Sequence, residues 1–150
     1  MIVAFCGHSE YIANEKDEKR MLALLETHVG NEPCEFFLGE YGGFDRFSYR
    51  CAEKFRATHP NAKLVFVTPY LLTDRIKETA DDRNYDLVIY PDLEKVPRRF
   101  AITHRNRWIV EQADLMIAYI DHEFGGAYTM YRDAVRKNKA IYNIANKPND

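Results

Sequence analysis

The chain has 150 residues, of which 46% are hydrophobic and 29% are charged, and its formal net charge is −2. This composition is typical of one globular domain and excludes a disordered or membrane-spanning chain. The nearly neutral charge also argues against non-specific binding to DNA or RNA, so we expect any anion site to be a local cluster of positive charge.

Short apolar runs alternate along the chain with stretches of helical period, which is typical of βαβ units with a buried parallel sheet. Apolar residues on one face of a charged segment predict a helix over residues 14–29, and a similar stripe from Phe44 to Phe55 predicts another. Further helices are expected around Ile109 and after Ala127. Strands are predicted at residues 2–6, 34–38, 64–68, 87–90, 115–120 and 140–144.

The remaining segments, 71–85 and 92–102, are less regular and fit either a short helix or a mobile loop. No repeat, linker or low-complexity tract divides the chain. We therefore predict a single Rossmann-like three-layer α/β/α domain over residues 1–145, with a mainly parallel sheet of five or six strands. Only residues 146–150 are expected to be disordered.

The amino terminus and the cysteines predict a cytoplasmic protein. The apolar run that begins at Ile2 has no basic flank and no small-residue cleavage site, so we expect a strand there and not a secretory signal. Cys6, Cys34 and Cys51 lie far apart and form no CxxC pair, which predicts neither a zinc site nor a disulfide framework. We expect three core thiols and no metal.

Ligands of open α/β sheets bind beyond the carboxyl ends of the strands, so the residues after each strand are the candidates. Two Gly-Gly pairs precede predicted helices there, which lets backbone N–H groups approach a phosphate or a carboxylate. The candidates that follow the first, second, third and fifth strands are Gly7 and His8; Gly39, Glu40, Gly42, Gly43 and Asp45; Thr68, Pro69 and Tyr70; and Asp121, Gly125, Gly126, Tyr128 and Thr129.

Some of these candidates have an ordinary structural alternative. Asp45 falls in the first turn of a helix, where a carboxylate caps backbone N–H groups as readily as it contacts a ligand. His8 is either a general acid or base or a hydrogen-bonding loop residue. Tyr70 and Tyr128 are candidates for stacking on a base.

Positive charge is concentrated just before the fifth strand, where Arg98, Arg99, His104, Arg105 and Arg107 fall within ten residues. Arginine can hold a phosphate through two parallel hydrogen bonds. We expect Arg105, Asn106 and Arg107 to serve a phosphate, because they lie near a helix start, and we expect Arg98 and Arg99 to be solvated.

The order of these motifs resembles the YpsA-like branch of the SLOG superfamily, which also contains the LOG phosphoribohydrolases and the DNA-processing protein DprA. The resemblance spans residues 2–144 and implies a Rossmann-like fold with a site for nucleotides or their derivatives. It is carried by FCGHS at 5–9, GEYGGFD at 39–45, VTPY at 67–70, RNRW at 105–108 and DLMIAYIDHEFGGAYT at 114–129.

The chain departs from the LOG pattern at its catalytic motif. LOG enzymes use an arginine before the fifth strand, which Arg105 resembles, and a glutamate in a PGGxGTxxE motif. Here Arg132 stands at the glutamate position and Tyr128 at the third glycine. Since the carboxylate that would stabilise an oxocarbenium-like sugar is absent, LOG-type hydrolysis is not expected. Nucleoside deoxyribosyltransferases are similar over residues 121–142, but their helical glutamate is also absent.

The leading hypothesis is a binding domain for a nucleotide or nucleotide-derived ligand, acting as a sensor, carrier or sequestering protein, with no required cofactor. The alternative is an enzyme that cleaves an N-glycosidic bond, with Asp45, Glu40 or Asp121 as its carboxylate. A third possibility is a protein-interaction module with a vestigial pocket. We expect a small-molecule partner, no membrane, no strong sign of a nucleic-acid partner, and a homo-oligomer, because LOG-like relatives form dimers.

Overall fold

The protein, described by a computed structural model over residues 1–146, is a six-stranded parallel sheet with the strand order β4-β3-β2-β1-β5-β6. The strands are β1 (Ile2–Gly7), β2 (Cys34–Leu38), β3 (Ala62–Val67), β4 (Leu87–Ile89), β5 (Leu115–Tyr119) and β6 (Ala140–Asn143). All six predicted strands are confirmed, with ends that differ by at most two residues. Of the tail predicted to be disordered, residues 147–150 lie outside the described residues. Asn146 is described, and its backbone N–H donates a hydrogen bond to Asn143.

Five α-helices connect the strands, and the predicted α/β fold is confirmed. They are α1 (Glu15–His28), α2 (Gly43–Thr58), α3 (Asp74–Asp82), α4 (Ala101–Gln112) and α5 (Gly126–Arg136), with a 3-10 turn at Arg98–Phe100 before α4. The two irregular segments thus contain a short helix and the entry to α4. Within residues 1–146, no helix is both long enough and apolar enough to cross a membrane.

Side chains alternate along each strand between two cores, one on each face of the sheet. In β1, Val3 and Phe5 pack with α1 and α2, whereas Ala4 and Cys6 pack with α4 and α5. The apolar runs that form β1, β2, β3 and β5 are therefore strands covered on both sides. Cys6, Cys34 and Cys51 are all buried and free, as expected of core thiols.

The helices begin in two different ways. Asn14 accepts a hydrogen bond from the Asp17 N–H at 2.9 Å, and Thr73 caps α3 in the same manner. By contrast, α2 and α5 each follow a glycine with positive φ, Gly42 (φ 104°) and Gly125 (φ 92°), and no side chain among the described residues caps either helix. The first N–H groups of these two helices therefore have no side-chain partner, and at α2 the Gly43 N–H donates to the backbone oxygen of Ser9.

The strand order fixes where a ligand would lie. The chain runs outward from β1 through β2, β3 and β4, and then returns to the other side of β1 to form β5. Ligands of open α/β sheets bind at this kind of topological switch point, in the crevice outside the carboxyl ends of the strands. Here the crevice lies between β1 and β5.

Candidate ligand-binding site

A cavity of about 290 Å³ opens at the carboxyl ends of β1 and β5. We call it the switch-point cavity. Its wall contains eight of the eighteen candidate residues, together with Tyr41. The eight are Gly7, His8, Gly39, Asp45, Arg105, Asn106, Gly125 and Gly126.

The two Gly-Gly pairs have different surroundings. A methyl group on Gly43 would lie 2.1 Å from the backbone oxygen of Tyr11, and one on Gly42 would lie 2.8 Å from Cα of Ser9. The Gly43 N–H already donates to Ser9 O at 2.7 Å. This first pair is therefore needed for close packing of the chain against residues 9–11.

The second pair borders open space. A methyl group on Gly125 or Gly126 would have no neighbouring atom within 4 Å, and both glycines line the switch-point cavity. Helix α5 begins here, and its first N–H groups have no partner within the helix. Since the helix dipole adds partial positive charge, this turn is suited to a phosphate or carboxylate group.

Arg105 supplies a buried positive charge to the same cavity. Only 3% of this residue is exposed. Its Nη1 donates to Val67 O at 2.7 Å and to Gly39 O at 3.3 Å, and its Nε donates to the Asn106 side chain at 3.0 Å. These bonds hold the guanidinium against the ends of β2 and β3. Arg105 therefore positions these strand ends and also contributes charge to the cavity.

Asp45 lies beside this guanidinium in the first turn of α2. One of its carboxylate oxygens accepts a hydrogen bond at 2.8 Å from the N–H of Tyr41, which lies just before the helix. Burial raises the pKa of Asp45 to about 6, although Arg105 acts in the opposite direction. A carboxylic acid that titrates near neutral pH is suited to proton transfer.

His8 connects the two strands on either side of the crevice. It is buried, and its Nε2 accepts a hydrogen bond from the Asp121 N–H at 3.1 Å. Burial and the neighbouring His122 lower the pKa of His8. The neutral ring of His8 thus holds the loop between β5 and α5 in place, which supports the open turn at Gly125.

A metal ion does not fit these histidines as they lie. The metal-ligand atoms of His8, Asp121 and His122 all fall within 4.8 Å of one another. The two imidazole rings, however, are stacked 3.6 Å apart at an angle of only 12°. A metal ion must lie in the plane of each imidazole that binds it, and two nearly parallel planes cannot share one ion unless a ring rotates.

A second and larger cavity, of about 830 Å³, lies at the carboxyl ends of β3 and β4. We call it the tyrosine–arginine groove, and its lining includes Tyr41, Tyr70, Arg75, Arg83 and Arg98. Tyr41 lines both cavities and so forms the boundary between them.

The remaining predicted residues divide between this groove and the surface. Glu40, Pro69 and Tyr70 line the groove. Thr68 is fully buried, and its hydroxyl donates to Tyr70 O, which fixes the turn. The others lie outside the walls of both cavities: Gly42 and Gly43 under residues 9–11, Arg107 on the outer side of α4, Asp121 on the loop before α5, Tyr128 beside Arg132, and Thr129 bonded to Gly125 O.

The wall of the switch-point cavity also contains residues that the sequence did not predict. Phe124 is 69% exposed and its ring lies 4.0 Å from that of His122, and Ile102 is also exposed at the rim. Phe124 directly precedes the second Gly-Gly pair, so its position in the sequence could have indicated that it lies at the cavity. Ile102 was in a segment without clear periodicity and gave none.

No protein-family model matches the chain, and no curated protein matches it. The solved structures that share its fold include two of DNA processing protein A. The one from Helicobacter pylori, described in its single-stranded DNA binding mode, superposes with a TM-score of 0.64 at 14% identity, covering 100% of this chain and 67% of that chain. The one from Streptococcus pneumoniae has a TM-score of 0.64 at 17% identity, covering 94% of this chain and 49% of that chain.

These likenesses establish a DprA-like Rossmann fold and correct one expectation. We expected no strong sign of a nucleic-acid partner, on the ground of the net charge. That expectation is wrong, because a protein with this fold, DNA processing protein A of Helicobacter pylori, binds single-stranded DNA. Net charge is a poor guide because binding depends on local charge, and three arginines of this chain converge on one groove.

Proposed function

We propose that the switch-point cavity binds the phosphate group of a nucleotide or nucleotide derivative. The observation that carries the proposal is the open Gly125–Gly126 turn at the start of α5. Its uncapped N–H groups face a cavity whose wall also includes the buried cation Arg105. The other Gly-Gly turn, at Gly42 and Gly43, is closed by residues 9–11.

The motif order supports a nucleotide as the ligand class. The resemblance to the YpsA-like branch of the SLOG superfamily covers Gly7, Asp45 and the Gly125–Gly126 turn, and it implies a nucleotide site at these strand ends. Within that proposal, the nucleotide can be free or can be part of a single strand, as in DNA processing protein A of Helicobacter pylori. Both sources present the same phosphate, sugar and base.

Thermal stabilisation tests the proposal and distinguishes the two sources. The purified protein is heated with AMP, GMP, dTMP or the oligonucleotide dT12, because a ligand that binds only the folded state raises its stability. At 100 times the Kd, the gain is about 2.7 kcal/mol. Stabilisation by a mononucleotide indicates a free ligand, and stabilisation by dT12 alone indicates a strand. If none of the four stabilises the protein, the proposal is wrong.

A matched pair of variants tests whether the ligand binds at the start of α5. Gly126→Ala adds a methyl group in the open turn, and we expect it to weaken the bound probe at least tenfold. Arg136→Gln removes an exposed cation at the far end of the same helix and should leave the affinity within twofold of wild type. Equal losses in both variants would contradict a phosphate site at the start of α5.

A second candidate function, cleavage of an N-glycosidic bond, is favoured by one observation. Of the three carboxylates considered, Asp45 alone lines the switch-point cavity and has a pKa raised to about 6. Glu40 accepts a hydrogen bond from Tyr85 at 2.6 Å in the other cavity, and Asp121 is exposed. Asp45 would then protonate the departing base or activate the attacking water.

Product analysis tests this candidate. The protein is incubated with AMP, GMP or dTMP, and free base is measured over time. Enzymatic cleavage predicts release of base by the wild type, loss of that release in Asp45→Asn, and full release in Asp121→Asn. If no base is released by wild-type protein that binds the same nucleotide, the function is binding alone.

A further inference from the structure

The tyrosine–arginine groove has the composition of a second recognition site. Its volume of about 830 Å³ exceeds that of the switch-point cavity, and three arginines line it. Among the described residues, Arg75 and Arg98 have no carboxylate within 4.0 Å, while Arg83 lies 3.8 Å from Glu40. The groove therefore presents at least two cations that no protein carboxylate neutralises.

Aromatic rings lie beside Arg98 of the groove and beside Arg105 of the neighbouring switch-point cavity. The guanidinium of Arg98 lies 4.3 Å from the ring centre of Tyr70, and that of Arg105 lies 5.4 Å from the ring of Tyr41. The Tyr41 and Tyr70 rings are 6.3 Å apart and nearly perpendicular. Tyr41 is 39% exposed, so its ring is accessible to a ligand. Rings of this kind stack on bases, and arginines beside them bind phosphate.

The acidic residues of the groove, Glu40 and Glu94, do not neutralise its positive charge. Glu40 already accepts a hydrogen bond from the Tyr85 hydroxyl. Burial and the neighbouring Glu40 raise the pKa of Tyr85, so the hydroxyl stays protonated and continues to donate this bond. Glu94 is exposed and lies in the segment before the 3-10 turn. The three arginines of the groove therefore outnumber its two carboxylates, and one of those carboxylates already accepts a hydrogen bond.

The two cavities are close enough for one ligand to occupy both. The switch-point cavity lies beyond β1 and β5, and the groove lies beyond β3 and β4. Neighbouring strands are about 4.8 Å apart, so three strand spacings place the two centres roughly 14 Å from each other. Tyr41, which follows β2, lines both of them.

We infer that the tyrosine–arginine groove holds a second base-bearing unit of the ligand, so that the protein recognises two nucleotide units joined through phosphate and not one. This inference rests on the proposed function, because the first unit occupies the switch-point cavity. The second base stacks on Tyr70 or Tyr41, and the linking phosphate lies against Arg98.

The test compares dTMP with the 5′-phosphorylated dinucleotide pdTpdT by isothermal titration. We expect pdTpdT to bind at least tenfold more tightly than dTMP, which corresponds to about 1.4 kcal/mol. Arg98→Gln and Tyr70→Leu should each weaken pdTpdT about tenfold and change dTMP less than twofold. Arg99→Gln is the matched control, since Arg99 is the exposed neighbour of Arg98 and lies outside the lining of the groove.

Three outcomes would overturn the inference. They are equal affinity for the two probes, no binding of pdTpdT, and losses in Arg99→Gln as large as those in Arg98→Gln. A failure of the proposed function gives a different pattern. In that case Gly126→Ala binds both probes as tightly as the wild type does, while the dependence of pdTpdT on Arg98 and Tyr70 persists and supports the groove alone.

A comparison of dT12 with pdTpdT also identifies the source of the second nucleotide unit. If dT12 binds no more tightly than pdTpdT, the site ends at two units and a free dinucleotide-like molecule fits it. If dT12 binds more tightly and still depends on Arg98 and Tyr70, the two units belong to a longer single strand. Both results keep the second subsite.

Discussion

Asp45 and Arg105 both lie against Gly39: a methyl group at that glycine would be 2.9 Å from Nη1 of Arg105 and 3.1 Å from a carboxylate oxygen of Asp45. Gly39 directly follows β2 and so brings a cation and a titrating acid to one wall of the switch-point cavity. The pKa of Asp45, about 6, makes the net charge of this wall depend on pH near neutrality.

The first prediction concerns stability. Because the pKa of Asp45 is about 6 in the folded protein and its ordinary value is 3.8, the folded state holds this proton more tightly than the unfolded state does. The contribution of Asp45 to stability is therefore most favourable below pH 4 and is lost as pH rises through about 6. Asp45→Asn, which resembles the protonated form, should stabilise the protein at pH 7.5 by roughly 1–3 kcal/mol.

Thermal unfolding measured at pH 7.5 and at pH 4 checks this sign. The gain from Asp45→Asn should be present at the higher pH and absent at the lower one. Asp114→Asn is the control, since Asp114 also accepts a backbone N–H, from Ile2 at 2.7 Å, but is exposed. A loss of stability in Asp45→Asn at pH 7.5 would contradict the raised pKa.

The second prediction concerns ligand affinity. At pH 7.5 the ionised Asp45 repels a phosphate in the cavity, so Asp45→Asn should bind a mononucleotide about five- to tenfold more tightly than the wild type. At pH 5 the two proteins should be equal, because wild-type Asp45 is then largely protonated. Comparing the two proteins at each pH cancels the titration of the ligand itself. Weaker binding by Asp45→Asn at pH 7.5 would show that the carboxylate contacts the ligand directly.

The third prediction separates the two Gly-Gly pairs. Gly43→Ala should destabilise the protein by at least about 2 kcal/mol, because its methyl group would meet Tyr11 O at 2.1 Å. Gly126→Ala should be neutral or stabilising by up to about 1 kcal/mol, since a free helical glycine costs entropy on folding. Chemical denaturation of both variants measures the difference. Similar losses in the two would mean that the second turn is also closely packed.

The fourth prediction concerns Gly7, which we expected to contact a ligand. A methyl group there would lie 2.2 Å from the Phe44 ring. Gly7→Ala should cost about 1–3 kcal/mol through overpacking. The double variant Gly7→Ala with Phe44→Leu should recover part of that loss relative to Phe44→Leu alone, because the smaller side chain leaves room. An additive effect in the double-mutant cycle would mean that the two residues do not limit each other.

The sequence predicted the sheet well because its four inner strands are short apolar runs buried on both faces, and β2 was predicted with the ends that the structure has. It could not rank the two Gly-Gly pairs. Gly43 and Gly126 look alike in sequence, and only the path of residues 9–11, which cross above the first pair, makes one pair packed and the other open.

The tyrosine–arginine groove was missed for a similar reason. Arg98 and Arg99 were both expected to be solvated and both are exposed, but nothing local in the sequence shows that Arg98 lies over the Tyr70 ring. The contact between Arg98 and Tyr70 joins residues 28 positions apart and depends on how the 3-10 turn before α4 packs across the end of β3. A pattern of neighbouring residues carries no information about that contact.

The most direct test of the central claim is an NMR titration of backbone amides with AMP, GMP, dTMP and dT12. The account predicts that the largest shifts occur at Gly125, Gly126 and Ala127, with small shifts at Gly42 and Gly43. Shifts confined to other surfaces, or no shift with any of the four probes, would contradict a nucleotide phosphate site at the start of α5.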